Sequence, residues 1–204
     1  MTVRVGFYGA GFISRFHVAS LEASRVDNVI AAVHDPNAAR AAAFVAEHGG
    51  VAAGEDELLG LVDAVYVTAW TSEHPRLVEK AAAAGVAVFC EKPVAIDAAT
   101  AERMVAAVGA AGVVNQVGLV LRFLPSFRWV RHLLHDRRAG RVLAVVFRDD
   151  QYIPDQGIYA STWRTDAARA GRGTLLEHSI HDVDILQWLV GPVTSLSAAT
   201  REVH

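Results

Sequence analysis

Short apolar runs alternate with helical patterns from the first residues of this 204-residue chain, and that alternation limits its fold more than any other feature. Val3–Tyr8, Val29–His34, Ala64–Thr68 and Val86–Cys90 have strand length and strand composition. Helical patterns separate them, one running to about Glu22 and the others over Ala38–Glu47, Glu55–Gly60 and His74–Ala84. A further helix is expected over Asp97–Ala110, with Asp97 or Thr100 as its cap. Strand–helix–strand order on this scale implies right-handed crossovers and a parallel sheet covered on both faces. In such sheets ligands bind beyond the carboxyl ends of the strands. The loops that follow the apolar runs are therefore where chemistry is expected.

The first of these loops is Gly9-Ala10-Gly11-Phe12-Ile13-Ser14, a G-x-G-x-x-S pattern between a strand and a helix. Gly9 permits a tight turn, and Gly11 lets a pyrophosphate approach the backbone. Ser14 is small enough for close helix–strand packing. The free N–H groups where the helix starts, at Phe12 and Ile13, would then face the anion. The second strand ends at Asp35-Pro36, a little beyond the spacing of about 20 residues expected for a ribose-binding acid. A carboxylate there accepts from both ribose hydroxyls and repels a 2′-phosphate, which favours NAD over NADP. Two other readings stay open. Asp35 also suits the start of a turn with Pro36 and Asn37, and Arg40 stands where it can meet a 2′-phosphate, which leaves NADP possible.

Val86–Cys90 stops abruptly at Glu91-Lys92-Pro93. Pro93 has no N–H for a sheet and confines Lys92 to extended conformations. Alone, the tripeptide reads as a solvated turn with a surface ion pair. After a buried parallel strand, it puts a lysine at the ligand edge. The loop Ala69–His74 is expected at the same edge, beside the cofactor.

Composition narrows the class. The chain is 52% hydrophobic and 20% charged, which suits a packed protein. Its net charge is −3 with no basic block, so neither nucleic acid nor a membrane surface is expected as a partner. A single cysteine excludes an internal disulfide framework and a zinc site built on four cysteines. No signal-peptide pattern opens the chain, and no apolar run approaches the roughly 20 residues of a spanning helix. A cytoplasmic location is the expectation.

Beyond residue 112, Val113–Leu121 reads as a strand ending in Arg122-Phe123, and Pro125–Leu134 as an amphipathic helix. Val142–Phe147 and Val193–Glu202 read as further strands. The stretch from Asp149 to Arg172 has no clear period and carries Tyr152, Tyr159, Trp163 and Arg164. Its rings suit either a functional loop or a cover for the core edge. A small-residue turn at Gly171-Arg172-Gly173 then feeds a helix to about Leu189. On one continuous helix, Glu177 and His181 share a face, and His178 and Asp182 share the neighbouring stripe.

Gly9-x-Gly11-x-x-Ser14, Asp35-Pro36, Thr71-x-x-His74 and Glu91-Lys92-Pro93, in that order, resemble the glucose–fructose oxidoreductase / inositol dehydrogenase (Gfo/Idh/MocA) family. The resemblance covers essentially the whole chain, although typical members are well over half as long again. It implies an α/β fold, with an N-terminal Rossmann doubly wound parallel sheet over residues 1–122. A partial α+β substrate and oligomerisation domain with an open, incomplete sheet would fill residues 123–204. It further implies hydride transfer between NAD, or NADP, and a carbinol carbon of a sugar, cyclitol or related polyol. Most of the family's C-terminal sheet is absent from this chain. The expectation is therefore either a truncated product or a short member whose sheet a second subunit completes, as a homo-oligomer. A truncated chain that binds NAD without turnover is the alternative.

The resemblance also assigns residues. Lys92, His181 and Glu177 form the catalytic set. Gly9, Gly11, Phe12, Ile13, Asp35, Thr71, His74, Glu91 and Lys92 meet the cofactor. Lys92, Arg122, Trp163, Arg164, His178 and His181 meet the substrate. Two departures stand out: Arg172 replaces the middle of three glycines, and Glu177 stands where aspartate is usual. Without the resemblance, the segment from Glu177 to Asp182 also suits a metal site built from His178, His181, Asp182 and Glu177, or a solvated polar face. With it, no metal is expected.

Overall fold

The structure, a computed structural model, describes residues 1–136, 140–150, 160–171 and 173–199. Six parallel strands form one sheet: β1 (Val3–Tyr8), β2 (Asn28–His34), β3 (Val51–Ala52), β4 (Ala64–Val67), β5 (Ala87–Cys90) and β6 (Asn115–Val117). Their order across the sheet is β3-β2-β1-β4-β5-β6. The order reverses between β1 and β4, and a crevice for a ligand is expected outside the carboxyl ends of those two strands.

Helices α1 (Phe12–Glu22), α2 (Ala38–His48), α3 (Glu55–Leu61), α4 (His74–Ala83) and α5 (Ala98–Ala111) connect the strands. They cover both faces, because strand side chains alternate and both sides are apolar. Val5 and Phe7 of β1 pack with Val18, Ile30, Val33, Ala41 and Phe44. Tyr8 belongs to a second core cluster, which also holds Val65, Leu77, Val88 and Met104. Each large apolar side chain buried this way contributes about 1.5–3 kcal/mol before the entropy of ordering it is subtracted. Gly6 has a packing role: a Cβ there would lie 2.8 Å from Val62 Cγ1, where α3 and its following residue close over β1. Asn37 caps α2 by accepting from the amides of Ala39 and Arg40, and Asp97 caps α5 by accepting from Thr100 N at 2.8 Å. Of the two capping candidates for α5, Asp97 takes the position.

The chain separates into two compact units. The first contains residues 1–118 and, among the later described residues, 160–171 and 173–177. That later stretch holds a 3-10 turn (Trp163–Thr165), α7 (Ala167–Ala170) and α8 (Gly173–Glu177). Asp166 caps α7 by accepting from Ala168 N. The second unit contains a 3-10 turn (Val120–Phe123), α6 (Pro125–His135) and α9 (Ile180–Val190). Arg122 forms a double ion pair with Asp184, and the Arg131 guanidinium lies 4.2 Å from the centre of the Trp188 ring. These contacts join α9 to α6 and to the turn that precedes it.

Four expectations change. Val142–Phe147 forms no strand, and neither do residues 193–199 of the expected Val193–Glu202 strand; residues 200–202 lie outside the described residues. β-propensity needs a neighbouring strand and a face to pack on. Leu143, Val146 and Leu196 are instead at least 84% exposed. The strand expected over Val113–Leu121 contracts to β6, because the chain turns into a 3-10 helix at Val120. The helix expected from Gly173 to Leu189 breaks at residues 178 and 179, so Glu177 closes α8 while His181 lies in the first turn of α9. Glu177 and His181 therefore do not share the face of one continuous helix. Tyr152, Tyr159 and Arg172 lie outside the described residues.

Candidate active site

The glycine turn sits at the carboxyl end of β1. Gly9 has φ +105°, and a Cβ there would lie 2.8 Å from the Thr68 carbonyl oxygen, so only glycine fits without strain. The turn is tied to both neighbouring strands. Gly9 N donates to His34 O at 2.8 Å, and Thr68 Oγ1 donates to Gly9 O at 2.9 Å. Gly11 is the N-cap of α1 and makes no side-chain capping bond. The space where its Cβ would point is open to 4 Å. Uncapped amides and open space at a helix start suit a phosphate. Phe12 and Ile13 follow, each more than one-third exposed. Buried Ser14 donates from Oγ to Gly11 O, satisfying its hydroxyl inside the packed interface.

Asp35 reaches across to this turn. Its Oδ2 accepts from Ala10 N at 2.9 Å and its Oδ1 from Asn37 N at 2.8 Å. The turn-starting reading of Asp35 is thus part of the structure. The glycine loop, the end of β2 and the start of α2 meet on one carboxylate. These residues fit a dinucleotide on three counts: an open uncapped helix start, a glycine no other residue can replace, and an acid at the next strand end.

The loop after β4 is pinned from beneath. Thr71 and His74 are each 1% exposed. His74 Nδ1 lies 2.8 Å from Pro93 O and Nε2 lies 3.1 Å from Ala69 O. A neutral imidazole carries one N–H, so it donates to one of these carbonyls at a time. Burial lowers the His74 pKa below its usual range, against the pull of the Pro93 and Ala69 carbonyls. The ring therefore fastens one edge loop to another and is closed off from solvent. Thr71 is buried likewise and donates from Oγ1 to Glu177 Oε1 at 3.1 Å.

Glu91 and Lys92 follow β5, and the Lys92–Pro93 peptide is cis. The surface-turn reading fails here, because the pair is largely enclosed by other elements of the first unit. Lys92 Nζ donates to the main-chain carbonyl of Glu177 at 2.6 Å. Burial pulls the lysine pKa below its usual range; the Glu177 and Glu91 carboxylates pull it up, and Arg164 adds to the lowering. Glu177 is 9% exposed, and Arg164 Nε stands 3.5 Å from its Oε2. Arg164 also donates to Ser161 Oγ and lies 4.8 Å from the centre of the Trp163 ring. The first unit thus brings together Lys92, Glu91, Glu177, Thr71, Arg164 and Trp163.

In the second unit, Arg122 is engaged by Asp184. His178 and His181 lie in the turn before α9 and in its first turn, with ring centres 6.2 Å apart. His178 Nε2 is 3.5 Å from Asp149 Oδ2. Burial, with Asp149 beside it, raises the Asp182 pKa. Among the described residues, no three or more His, Cys, Asp or Glu side chains are grouped as a metal site.

One participant escaped the sequence reading. His17 Nε2 donates to Glu91 Oε1 at 2.7 Å. Its ring meets Phe89 edge-on at 4.8 Å and leans on Tyr66 at 5.2 Å. The available signal was position: Ser14, His17, Val18 and Leu21 share one stripe of α1, and a histidine there stands on the core-facing side.

Comparison with known proteins fits this geometry. Residues 3–119 match the model of the oxidoreductase family with the NAD-binding Rossmann fold, and residues 127–204 match the GFO/IDH/MocA C-terminal domain. The inositol 2-dehydrogenase of Rhizobium meliloti (strain 1021) is 32% identical over 207 residues, covering 100% of this chain and 59% of that relative. The 1,5-anhydro-D-fructose reductase of Ensifer adhaerens is 32% identical over 191 residues, covering 92% and 56%. The WlbA dehydrogenase from Bordetella pertussis, solved in complex with NADH and UDP-GlcNAcA, superposes with a TM-score of 0.81 at 26% identity, covering 94% and 56%. The chain spans just over half the length of the curated relatives it matches. No helix among the described residues is long and apolar enough to cross a membrane. With its glycine turn, its strand-end acid and its Glu91-Lys92-Pro93 edge, this chain belongs to the GFO/IDH/MocA oxidoreductase family with the NAD-binding Rossmann fold.

Proposed function

We propose that this chain binds a nicotinamide dinucleotide and oxidises a secondary hydroxyl of a cyclitol or sugar, or runs the reverse reduction, with Lys92 handling the proton. The observation that carries the reading is Lys92 itself: a desolvated lysine at a strand end, on the sheet edge that also bears the glycine turn. The names of the relatives support the substrate class, which includes inositols and an anhydro-sugar.

When bound, the nicotinamide accepts or returns the hydride. The Gly9 turn and the amides at the start of α1 hold the pyrophosphate. Asp35 receives the ribose hydroxyls and disfavours a 2′-phosphate, so NAD is the proposed cofactor. Alcohol oxidation releases a hydroxyl proton, and a base whose pKa lies near the working pH takes it best. Lowering the Lys92 pKa moves it towards that range. Glu177 holds Lys92 through its carbonyl, while its carboxylate is held by Thr71 and faces Arg164. Trp163 and Arg164 supply substrate contacts from the first unit. The roles of His181, His178 and Arg122, all in the second unit, rest on the family resemblance alone; His181 is the second proton-handling group in this reading.

A panel of cyclitols and sugars with NAD, followed by absorbance of the reduced cofactor, tests the proposal. Reduction with a cyclitol supports it; NADH binding without reduction of NAD by any member counts against it. That second result has a structural basis, because residues 141–150 and 191–199 form no strand. Their exposed Leu143, Val146 and Leu196 suit contact with another copy of the chain, and light scattering reads that directly.

A further inference from the structure

His17 has no part in the reaction described above, yet it is 14% exposed at the side chain and bonded to a partner that is 12% exposed. That partner, Glu91, precedes Lys92 in the chain and has two carboxylate oxygens to satisfy. His17 takes Oε1 at 2.7 Å, and the main-chain amide of Lys92 takes Oε2 at 3.0 Å. The ammonium of Lys92 goes elsewhere, to the Glu177 carbonyl. A buried carboxylate beside a buried ammonium ordinarily pairs with it. Here one oxygen is held by His17 and the other by the Lys92 amide, which fixes the direction the carboxylate faces.

We propose that His17 is a positioning residue that keeps the Glu91 carboxylate off the Lys92 ammonium. The inference rests on the reading of Lys92 as the proton-handling group, and it adds a cause for that group's availability. The ring is itself held: Phe89 meets it edge-on and Tyr66 leans on it, so Nε2 has little freedom to turn away. His17 lies on α1, the helix that begins at Gly11. The helix that presents its start to a pyrophosphate therefore also fixes the orientation of the acid next to the lysine.

Among the described residues, the charged groups that bear on the pair are these. Lys92 is influenced by Glu91, Glu177 and Arg164. Glu91 is influenced by His17 and Lys92, and its pKa ends below the ordinary carboxylate range: burial raises it, but the His17 bond, the Lys92 amide and the Lys92 charge outweigh that. Glu91 in turn bears on buried His74 and Cys90. Without His17, Oε1 loses its donor, and the carboxylate is free to turn toward the Lys92 ammonium, whose charge it already feels. A lysine paired with a carboxylate holds its proton to higher pH.

The chain has two lysines, Lys80 and Lys92, so a sample labelled with carbon-13 at lysine Cε gives two signals, and Lys80→Arg assigns them. Their shifts are followed against pH in the full chain, without cofactor or substrate. His17→Phe keeps the ring packing and removes the donor; the Lys92 midpoint is expected to rise. His17→Gln keeps a donor near the position of Nε2 and is expected to restore the wild-type midpoint. Glu91→Gln removes the carboxylate and is expected to lower the midpoint, and adding His17→Phe to it is expected to change nothing more. Where the Phe variant fails to fold, His17→Asn, polar but too short to reach Oε1, replaces it with the same expected rise. An unchanged or lowered midpoint in folded His17→Phe or His17→Asn overturns the proposal. Because this titration needs no turnover, a rise in a chain that reduces no NAD upholds the role of His17 and rejects the proposed oxidoreductase activity of this chain.

Discussion

Lys92 reaches the main-chain carbonyl of Glu177, while the carboxylate of the same residue accepts from Thr71. Backbone and side chain of one acid thus serve two different loops. Substitution of the acid therefore need not release the lysine. Glu177→Gln is expected to leave the Lys92 bond in place and to lower kcat less than Lys92→Met does. Lys92→Met is expected to lower kcat by roughly 100-fold or more while NADH affinity, read by fluorescence titration, changes little. Equal losses in the two variants would show that the carboxylate itself acts on the substrate.

Glu177→Asp tests the departure from the aspartate usual in the family. Shortening the side chain draws the carboxylate back from Thr71 Oγ1, leaving a buried hydroxyl without its acceptor. A loss of about 1–3 kcal/mol in urea unfolding is expected. No loss would show that Thr71 finds another acceptor.

Gly9→Ala combines a positive φ with a contact of 2.8 Å to the main-chain oxygen of Thr68. A destabilisation of about 1–3 kcal/mol is expected, together with weaker NADH binding because the turn must shift. Denaturant titration and fluorescence measure the two effects separately.

His74 gives a pH dependence whose sign follows from its burial. Its folded pKa is lowered, so the unfolded chain binds the proton more readily. Its contribution to stability is whole above the unfolded value of about 6.5 and is lost as pH falls through the lower, folded value. Wild-type unfolding free energy is expected to fall below about pH 6.5, and His74→Gln is expected to flatten that part of the curve. An identical slope in the variant would assign the dependence to groups other than His74.

Asp35→Ser is expected to raise the preference for NADP over NAD, measured as a ratio of KM values. It also removes the acceptor for Ala10 N and Asn37 N, so a modest stability loss of about 1 kcal/mol should accompany the change.

What could be read from the sequence follows physical range. The βα alternation, the Asp97 cap and the glycine at 9 are local matters, decided within a few residues by propensity, capping and backbone sterics. The edge position of Lys92 follows from the alternation. The His17–Glu91 bond joins residues 74 positions apart, and nothing near either residue announces the other. The missing strands at 142–147 and 193–199 have suitable sequences, but a strand exists only through its neighbour. The break at residues 178 and 179 interrupts a pattern that stays helical on both sides, which periodicity does not resolve. β3 is two residues long and too short to show a period.

The partner of Lys92 lies 85 residues further along the chain. A ribosome releases all six strands of the sheet well before it reaches α8. Until residue 177 emerges, the nucleotide-binding sheet can assemble with the lysine bare at its edge. Closing so long a loop has an entropic cost that grows only slowly with its length, but a contact of such wide sequence separation is expected to form late. Assembly thus runs from scaffold to chemistry: the surface that would receive a dinucleotide can fold early, and the residue that would act on the substrate is fixed in place last.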